Sequence, residues 1–314
     1  MMKRVLAVIF SLMLFMTAGC GPEQQGKDTK LSKLTIGLMP DTDSIPFIIA
    51  AERGYFAEEG VEVELVPFKS AMERDAALQS GNLDGAVSDL LAVIFARSGG
   101  FSMHAVSYTD GNYNLVAGGN AGISAAADLH GKEIAISRNT IIEYVTDEIL
   151  SVNGMEEQDV SKVVIPQIPV RLEMLQSGNL AAAVLPEPMA SVAVASGSRY
   201  VTGSGDLGIN PGVIVFTDSS INEKAQSIRA MYRAYNKAVK YLNDTPRAEY
   251  IDLVMEKSGF PAPARDALDL KPYRSAGLPA EKDVEEAVRW VKSKELGGDY
   301  SYDDLVSKLL TEEK

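Results

Sequence analysis

Short apolar strands and amphipathic helices alternate along most of this chain, and the alternation occurs twice in the same order. The pentapeptide Gln79–Leu83, Gln-Ser-Gly-Asn-Leu, recurs as Gln176–Leu180. Each copy follows a helix pattern and precedes a short run of small residues and valine. Because β-α-β alternation indicates parallel sheets covered by helices, the sequence predicts two α/β lobes of similar build.

The strand predictions follow from short apolar runs bounded by glycine and polar residues. They cover Leu34–Leu38, Val61–Val66, Gly85–Val87, Phe101–Val106, Leu115–Ala117, Glu133–Ile136, Lys162–Ile165, Ala182–Leu185 and Val213–Phe216. The chain after Phe216 has helical spacing throughout. The tyrosines of Asn222–Leu242 follow that spacing, so we expect them in the core and not on a ligand-stacking platform.

The N-terminal residues predict export. Lys3 and Arg4 precede an apolar run, Val5–Met16, which is too short for a stable membrane span. These features indicate a signal peptide over residues 1–19. Thr17-Ala18-Gly19-Cys20 resembles a bacterial lipobox, although Thr17 stands where leucine is more common, and Cys20 is the chain's single cysteine. The sequence therefore predicts lipidation of Cys20, a flexible tether over residues 20–32, and a domain held outside the cell.

The composition argues against several functional classes. A net charge of −13 opposes binding to nucleic acid and to anionic lipid surfaces. Phosphate-loop, nucleophile-elbow and metal-ligand spacings are missing, so we expect no cofactor, no metal and no catalysis. The two histidines, His104 and His130, fall outside the turns in which a site is expected.

A ligand site is expected where strands end. In open α/β sheets, ligands bind at the carboxyl ends of strands, and two facing lobes make a cleft that closes by a hinge. Four turns satisfy this condition: 40–46, 88–89, 137–140 and 186–188. Their candidate ligand-binding residues are Asp41, Asp43, Ser44, Ser88, Asp89, Ser137, Asn139, Thr140, Glu143 in the following helix, and Glu187.

Several of these candidates have a structural alternative. Asp43, Ser44 or Asp89 could cap the N-terminus of the next helix. Glu143 lies one turn into its helix, where a carboxylate favours the helix dipole. Pro186 and Pro188 hold Glu187 in an extended, rigid turn, which favours ligand or hinge contact.

The same turns belong to a wider resemblance. The chain resembles the bacterial ABC-transporter binding proteins of the nitrate, sulfonate, taurine and thiamine-precursor group. The pieces that carry it are Ile48–Phe56, Gly81–Ala86, Asp128–Ala135, Glu187-Pro188 and Tyr302–Val306. The resemblance implies a type II periplasmic-binding fold with a double crossover hinge. It places the first lobe at 33–106, the second at 107–210, and a return to the first lobe with C-terminal helices at 211–314.

The resemblance also implies partners and further site residues. An ABC permease and its ATPase would receive the ligand from this chain, which we expect to be a monomer. Tyr108 and Asn112 in the first crossover, and Asn210 in the second, could stack on or hydrogen-bond a flat heterocycle. A ligand sensor lipoprotein and a thiamine-pathway enzyme of the same fold remain alternatives.

Charge decides the predicted ligand class. Five carboxylates, Asp41, Asp43, Asp89, Glu143 and Glu187, stand at the predicted cleft against one cation, Arg138. Desolvated carboxylates would repel an anion. We therefore expect an amine-bearing or heteroaromatic metabolite such as a thiamine precursor, with a small oxyanion such as nitrate, sulfonate or taurine as the alternative.

Overall fold

A computed structural model describes residues 31–311. The strands in this part are β1 Leu34–Leu38, β2 Val63–Pro67, β3 Gly85–Asp89, β4 Met103–Tyr108, β5 Tyr113–Ala117, β6 Glu133–Ile136, β7 Ser161–Val164, β8 Ala182–Pro186, β9 Arg199–Gly203 and β10 Gly212–Thr217. They form two sheets of five strands, in the orders β2-β1-β3-β10-β4 and β7-β6-β8-β5-β9. We call the first sheet with its helices the first lobe, and the second sheet with its helices the second lobe.

The two sheets have the same internal pattern. In each, three strands are parallel, β2-β1-β3 and β7-β6-β8. In each, the strand that enters from the other lobe, β10 or β5, runs antiparallel to both of its neighbours. The chain passes to the second sheet between Tyr108 and Tyr113 and returns between Gly203 and Gly212. The predicted two-lobed α/β fold with a double crossover is confirmed.

Helices cover both sheets. They are α1 Ile45–Glu52, α2 Tyr55–Glu58, α3 Ala71–Gln79, α4 Leu90–Ser98, α5 Ile141–Val152, α6 Ile168–Gln176, α7 Met189–Ala195, α8 Ser204–Leu207, α9 Asp218–Glu223, α10 Ala225–Asp244, α11 Ile251–Ser258, α12 Ala264–Ala267, α13 Glu281–Ser293 and α14 Tyr302–Leu305. Short 3-10 turns cover Thr42–Ser44, Ala126–Leu129, Glu157–Asp159 and Arg247–Glu249. None of the helices within residues 31–311 has the length and apolar character that a membrane span requires.

The repeated pentapeptide ends an equivalent helix in each lobe. Gly81 and Gly178 follow α3 and α6 with φ of +76° and +77°. Glycine reaches this left-handed region without the steric cost of a Cβ, so it stops the helix and turns the chain into β3 or β8. The sequence repeat is therefore a repeat of the helix-to-strand turn.

The single tryptophan, whose place the sequence leaves open, lies between the lobes. Trp290 on α13 packs edge-on against Phe95 of the first lobe and Tyr144 of the second, with ring centroids 6.5 and 5.7 Å apart. Its indole N–H donates to Asp147 of the second lobe at 3.0 Å. Helix α13 thus contacts both lobes with one side chain.

Two elements differ from the sequence prediction. The sequence predicts one helix over Ser44–Tyr55, stopped by Gly54. The observed helix α1 is shorter: it ends at Glu52, and Gly54 adopts φ +74° before α2 begins. Strand β9 has no counterpart in the prediction. It lies at the edge of its sheet with Arg199 and Tyr200 exposed, so it lacks the apolar alternation by which strands are recognised.

Candidate functional site

The carboxyl ends of β1 and β3 face those of β6 and β8 across a small cavity between the lobes. Its volume is about 30 Å³, enough for a compact polar group and not for a large molecule. We call it the cleft cavity. The residues that line it are Met39, Asp41, Ala71, Arg74, Val87, Ser88, Asp89, Tyr113, Ser137, Thr140, Ile141, Ile142, Pro166, Ile168, Arg171 and Pro186.

Arg171 is a buried cation with which no carboxylate of residues 31–311 pairs. Its side chain is fully buried, and its one hydrogen bond is from Nη1 to the carbonyl oxygen of Ile165 at 2.9 Å. The Nε and Nη2 groups of the same guanidinium are buried and have no partner. Burial lowers the pKa of Arg171 to about 9, which leaves it charged at neutral pH. Burying an unpaired charge costs free energy, and a bound anion would offset that cost.

Arg74 lines the same cavity but is paired. Its Nε lies 2.8 Å from Asp75, and its Nη2 lies 3.7 Å from the buried carboxylate of Asp89. Its Nη1 donates to the carbonyl oxygen of Val87 at 3.2 Å. Burial alone would lower the pKa of Arg74, but the two carboxylates outweigh it and raise the pKa above its usual value.

The two arginines occupy equivalent positions. Arg74 is the fourth residue of α3 and Arg171 the fourth of α6, and each precedes its Gln-Ser-Gly-Asn-Leu copy by five residues. The repeat therefore extends upstream to Arg-x-x-x-Leu-Gln-Ser-Gly-Asn-Leu. This longer repeat is the sequence signal that could have identified both arginines, which were not among the predicted site residues.

The equivalent neighbours explain why only one arginine is paired. In the second lobe, Leu172 stands where the first has Asp75, and Pro186 stands where the first has Asp89. Neither substitute can accept a hydrogen bond through its side chain. Arg171 therefore keeps its donors for whatever enters the cavity.

A further unpartnered donor lies beside the arginines. The hydroxyl group of Ser88 is buried in the cleft cavity without a hydrogen-bond partner, and Nη2 of Arg74 faces Asp89 but makes no hydrogen bond either. Ser137 and Thr140 line the opposite side, and Thr140 caps α5 by accepting from the Ile142 N–H at 3.2 Å. Buried polar groups rarely stay unpaired, so four orphan donors from both lobes in one cavity describe a site that accepts hydrogen-bonding oxygens.

Two acidic residues line the cavity, and each has contacts that limit its negative charge toward a ligand. Burial raises the pKa of Asp41 to about 6, although the Ser44 hydroxyl, at 3.3 Å, and Arg74 act in the opposite direction. Asp89 caps α4 by accepting from the Ala92 N–H at 2.8 Å. Burial raises the pKa of Asp89, and Arg74 offsets part of the effect. The predicted capping role of Asp89 is what the structure shows.

Direct contacts hold the two lobes together at the cavity. The backbone N–H of Thr42 donates to the carbonyl oxygen of Glu187 at 2.9 Å, and that of Ile168 donates to Lys69 at 3.1 Å. The Tyr113 hydroxyl donates to Asp43 at 3.1 Å. Burial, and then the Asp41 carboxylate, raise the pKa of Asp43 well above its usual value. The lobes are thus closed around the cavity.

Comparison with known proteins agrees with this architecture. The profile of the NMT1/THI5-like family matches residues 41–249, about two thirds of the chain. The chain belongs to the NMT1/THI5-like family. No curated protein matches it by sequence at a significant level.

Solved structures share the fold of this NMT1/THI5-like chain. The alkanesulfonate-binding protein SsuA from Xanthomonas axonopodis pv. citri, bound to MOPS, is 17% identical with a TM-score of 0.74, over 85% of this chain and 94% of SsuA. The nitrate-binding protein NrtA from Synechocystis PCC 6803 is 14% identical with a TM-score of 0.75, over 90% and 88%. The desulfurization enzyme DszB is 15% identical with a TM-score of 0.66, over 89% and 98%.

Some of the predicted site residues of this NMT1/THI5-like chain line the cleft cavity, and others lie outside it. Asp41, Ser88, Asp89, Ser137 and Thr140 line the cleft cavity. Ser44 does not cap α1 with its side chain. Its hydroxyl instead donates to the Met39 carbonyl oxygen at 2.8 Å and accepts from the Met39 N–H at 3.1 Å, which fixes the loop after β1.

Glu143 is engaged outside the cavity. One of its oxygens accepts from the Asn139 N–H at 2.7 Å, and the other lies 3.4 Å from Lys162. Lys162 also pairs with Asp147 at 2.5 Å and with Glu157 at 2.8 Å. This arrangement matches the structural alternative, in which Glu143 stabilises the start of its own helix.

The other candidates make contacts within the hinge and its surroundings. Glu187 accepts from the Asn114 amide at 2.7 Å and from the Ser191 N–H at 3.1 Å.

The candidates of the two crossovers also bind other parts of the chain. Asn112 accepts from Ser204 and Gly205, both at 3.0 Å, and the Asn210 amide donates to Thr109 at 2.8 Å. Tyr108 stacks under Arg274 and donates to the Ser275 carbonyl oxygen at 2.6 Å. Asn139 is exposed at an outer recess with φ +56°.

The expected preference for a cationic or amine ligand has less support than the oxyanion alternative. It rested on five carboxylates and Arg138 alone, but Arg138 is exposed, while Arg74 and Arg171 are buried in the cavity. Glu143 and Glu187 are not among the cavity residues. The charge balance of the described cavity is therefore two arginines against Asp41 and Asp89, with Asp89 committed to Arg74. The oxyanion alternative fits the NMT1/THI5-like cleft better.

Proposed function

We propose that this chain is the solute-binding component of an ABC importer and that it captures a small molecule through an oxyanion group. The observation that carries the proposal is the buried, unpaired guanidinium of Arg171 in the cleft cavity. A planar guanidinium binds a carboxylate, sulfonate or nitrate group through two parallel hydrogen bonds. The Arg74 Nη2 and Ser88 hydroxyl groups supply donors from the other lobe.

Closure of the lobes is the mechanism of capture. Arg171 belongs to the second lobe and Arg74 with Ser88 to the first, so one oxyanion between them accepts hydrogen bonds from both. Such a ligand binds the closed arrangement more tightly than the open one, and it shifts the equilibrium toward closure by that difference. The Thr42–Glu187 and Ile168–Lys69 backbone hydrogen bonds accompany that closure.

The two binding proteins of similar fold support the ligand class, since one binds an alkanesulfonate and the other nitrate. Family membership and fold support the transport role, with a permease and an ATPase as partners. The proposal keeps the extracytoplasmic location, the monomeric state and the lipid anchor on Cys20. Cys20 and the signal peptide lie outside the described residues.

Binding without catalysis completes the proposal. His104 pairs with Asp218 at 2.6 Å at the end of the first sheet remote from the cleft, and His130 is exposed. Neither histidine lines the cleft cavity, so neither can transfer a proton to a ligand there. DszB shows that an enzyme can share the fold, so activity is a matter of the cleft residues and not of the fold.

The test is calorimetric titration of the purified protein with nitrate, sulfate and methanesulfonate, alongside thiamine and an aminopyrimidine. We expect at least one oxyanion to bind and the two amine-bearing compounds not to. The variant Arg171→Gln should remove oxyanion binding, whereas Arg138→Gln, at an exposed arginine of the same lobe, should preserve it. Binding of the aminopyrimidine alone, or unchanged oxyanion binding in Arg171→Gln, would contradict the proposal.

A further inference from the structure

A larger recess adjoins the cleft cavity on one side. Its volume is about 440 Å³, against about 30 Å³ for the cleft cavity. We call it the apolar chamber. Its lining combines the first lobe, the second lobe and the C-terminal segment 257–261, so it takes its shape only when the lobes are closed.

The inner wall of the chamber is apolar. Leu38, Met39 and Ile48 of the first lobe, and Leu172 and Met189 of the second, are each less than 10% exposed. Charged residues of the chamber, Lys69, Glu173 and Lys257, are exposed. A recess of several hundred cubic ångströms with apolar walls and few polar groups is typical of a site for an organic ligand.

The chamber and the cleft cavity share a partition. Met39 lines both. On α6, Ile168 and Arg171 line the cleft cavity, while their neighbours Pro169 and Leu172 line the chamber. Methionine is unbranched and flexible, so its side chain can move aside for a group that extends from one space into the other.

From this geometry we propose that the ligand is an amphiphilic organic anion. Its oxyanion group binds Arg171 in the cleft cavity, and its apolar body passes Met39 and fills the chamber. A bare inorganic ion such as nitrate would leave the chamber unused. The inference rests on the proposed function, because it assigns the second half of the same ligand.

A homologous series of alkanesulfonates from methanesulfonate to hexanesulfonate tests the inference by calorimetry on the purified protein. Burying one methylene group contributes about 0.8 kcal/mol, which is about fourfold in affinity. We therefore expect affinity to rise about fourfold per added carbon until the chamber is filled. Nitrate, which has no apolar body to bury, should bind more weakly than hexanesulfonate.

Two variants locate the apolar body. Leu172→Trp fills the chamber from its inner wall, and Glu173→Trp obstructs it from an exposed position where misfolding is not expected. Each should reduce the ratio of hexanesulfonate to methanesulfonate affinity toward one. Met72→Trp, at an exposed residue of α3 that lines a different recess, is the matched control and should leave the ratio unchanged.

The outcomes separate the two proposals. If methanesulfonate and nitrate bind in an Arg171-dependent way but affinity does not rise with chain length, the amphiphile inference fails and the oxyanion site stands. An affinity that rises with chain length but is unaffected by either chamber variant also overturns the inference. If no oxyanion binds at all, the proposed function itself fails.

Discussion

Arg74 and Arg171 occupy equivalent positions of the two lobes and line one cavity, yet within residues 31–311 only Arg74 has carboxylates beside it. In the second lobe, Leu172 and Pro186 replace those carboxylates. The charge of Arg74 is therefore balanced by neighbouring carboxylates, whereas the buried charge of Arg171 is not. The two side chains should respond to mutation in opposite ways.

Replacing Arg171 should stabilise the empty protein while abolishing binding. Arg171→Met keeps the length of the side chain and removes a buried charge that no carboxylate offsets within residues 31–311. We expect the free energy of unfolding without ligand to rise by about 1–4 kcal/mol. The ligand-induced stabilisation, about 2.7 kcal/mol at a hundredfold excess over Kd, should vanish. Chemical denaturation with and without methanesulfonate measures both, and a less stable empty variant would show that Arg171 is structural.

Replacing Arg74 should destabilise the empty protein. Arg74→Met leaves the buried carboxylate of Asp89 without its cation, and breaking a buried pair in this way costs about 3–5 kcal/mol. Denaturation of the empty protein should show this loss. The double variant Arg74→Met with Asp89→Asn should recover part of it, because the uncompensated charge is then removed as well. Equal stability of Arg74→Met and the parent protein would argue against the pair.

Oxyanion affinity should increase as the pH falls from 7.5 to 5.5. Burial raises the pKa of Asp41 to about 6, so this carboxylate gains a proton over that interval and ceases to repel an anion in the cleft cavity. We expect affinity for methanesulfonate to rise several-fold, measured by calorimetry at each pH. Asp41→Asn should bind with the higher affinity throughout and show a flat profile. A parent profile as flat as that of Asp41→Asn would exclude Asp41 from the site.

The stability of the empty protein has a pH dependence of the same origin. The folded protein holds the Asp41 proton up to about pH 6, whereas the unfolded chain releases it near the usual value of 3.8. Between these values the folded state binds more protons, so this group raises the free energy of unfolding as the pH falls through 6 toward 4. Asp43, whose pKa is also raised, acts in the same direction. Denaturation curves of the parent and of Asp41→Asn between pH 4 and 7 isolate the contribution of Asp41.

Glu143→Gln should weaken the fold and leave binding unchanged. The carboxylate of Glu143 accepts from the Asn139 N–H and faces Lys162, and both contacts lie outside the cleft cavity. We expect a loss of about 1–3 kcal/mol in the free energy of unfolding, as for a buried hydrogen bond to a charged group. The Kd for methanesulfonate should stay within twofold of the parent value. A large loss of affinity with unchanged stability would return Glu143 to the ligand site.

Ligand binding should change the intrinsic fluorescence of Trp290. Its indole ring lies between Phe95 of the first lobe and Tyr144 of the second, so a change in lobe closure alters its surroundings. The half-saturation point of the fluorescence change should equal the calorimetric Kd. Because Trp290 is the single tryptophan, Trp290→Phe supplies the background signal. An unchanged spectrum at saturation would mean that this contact does not respond to the ligand.

The fold could be predicted from the sequence because its determinants are local. Alternating strand and helix patterns, and a glycine that ends α3 and α6 alike, are visible in the letters of the chain. Strand β9 was not predicted because Arg199 and Tyr200 are exposed, and the segment therefore lacks the apolar pattern by which strands are recognised. Its position in the sheet depends on pairing with β5, a strand that is far away in the sequence.

The site was only half predictable for a related reason. Strand-end turns indicated Asp41, Ser88, Asp89, Ser137 and Thr140, and these five residues line the cleft cavity. Arg74 and Arg171 lie inside helices, where an arginine is usually a solvated side chain. Their burial depends on how α3 and α6 approach the opposite lobe. The repeat could have exposed their equivalence, but the absence of an acid near Arg171 is a property of the folded chain.

The Thr42–Glu187 and Ile168–Lys69 links between the lobes consist of main-chain atoms alone. Any amino acid with an N–H group can supply such a bond, so these two closing contacts do not depend on which side chains surround the cleft. Substitutions during evolution can then change the side chains that line the cavity without loss of these two hydrogen bonds. A protein built in this way can change what it carries and still close by the same movement.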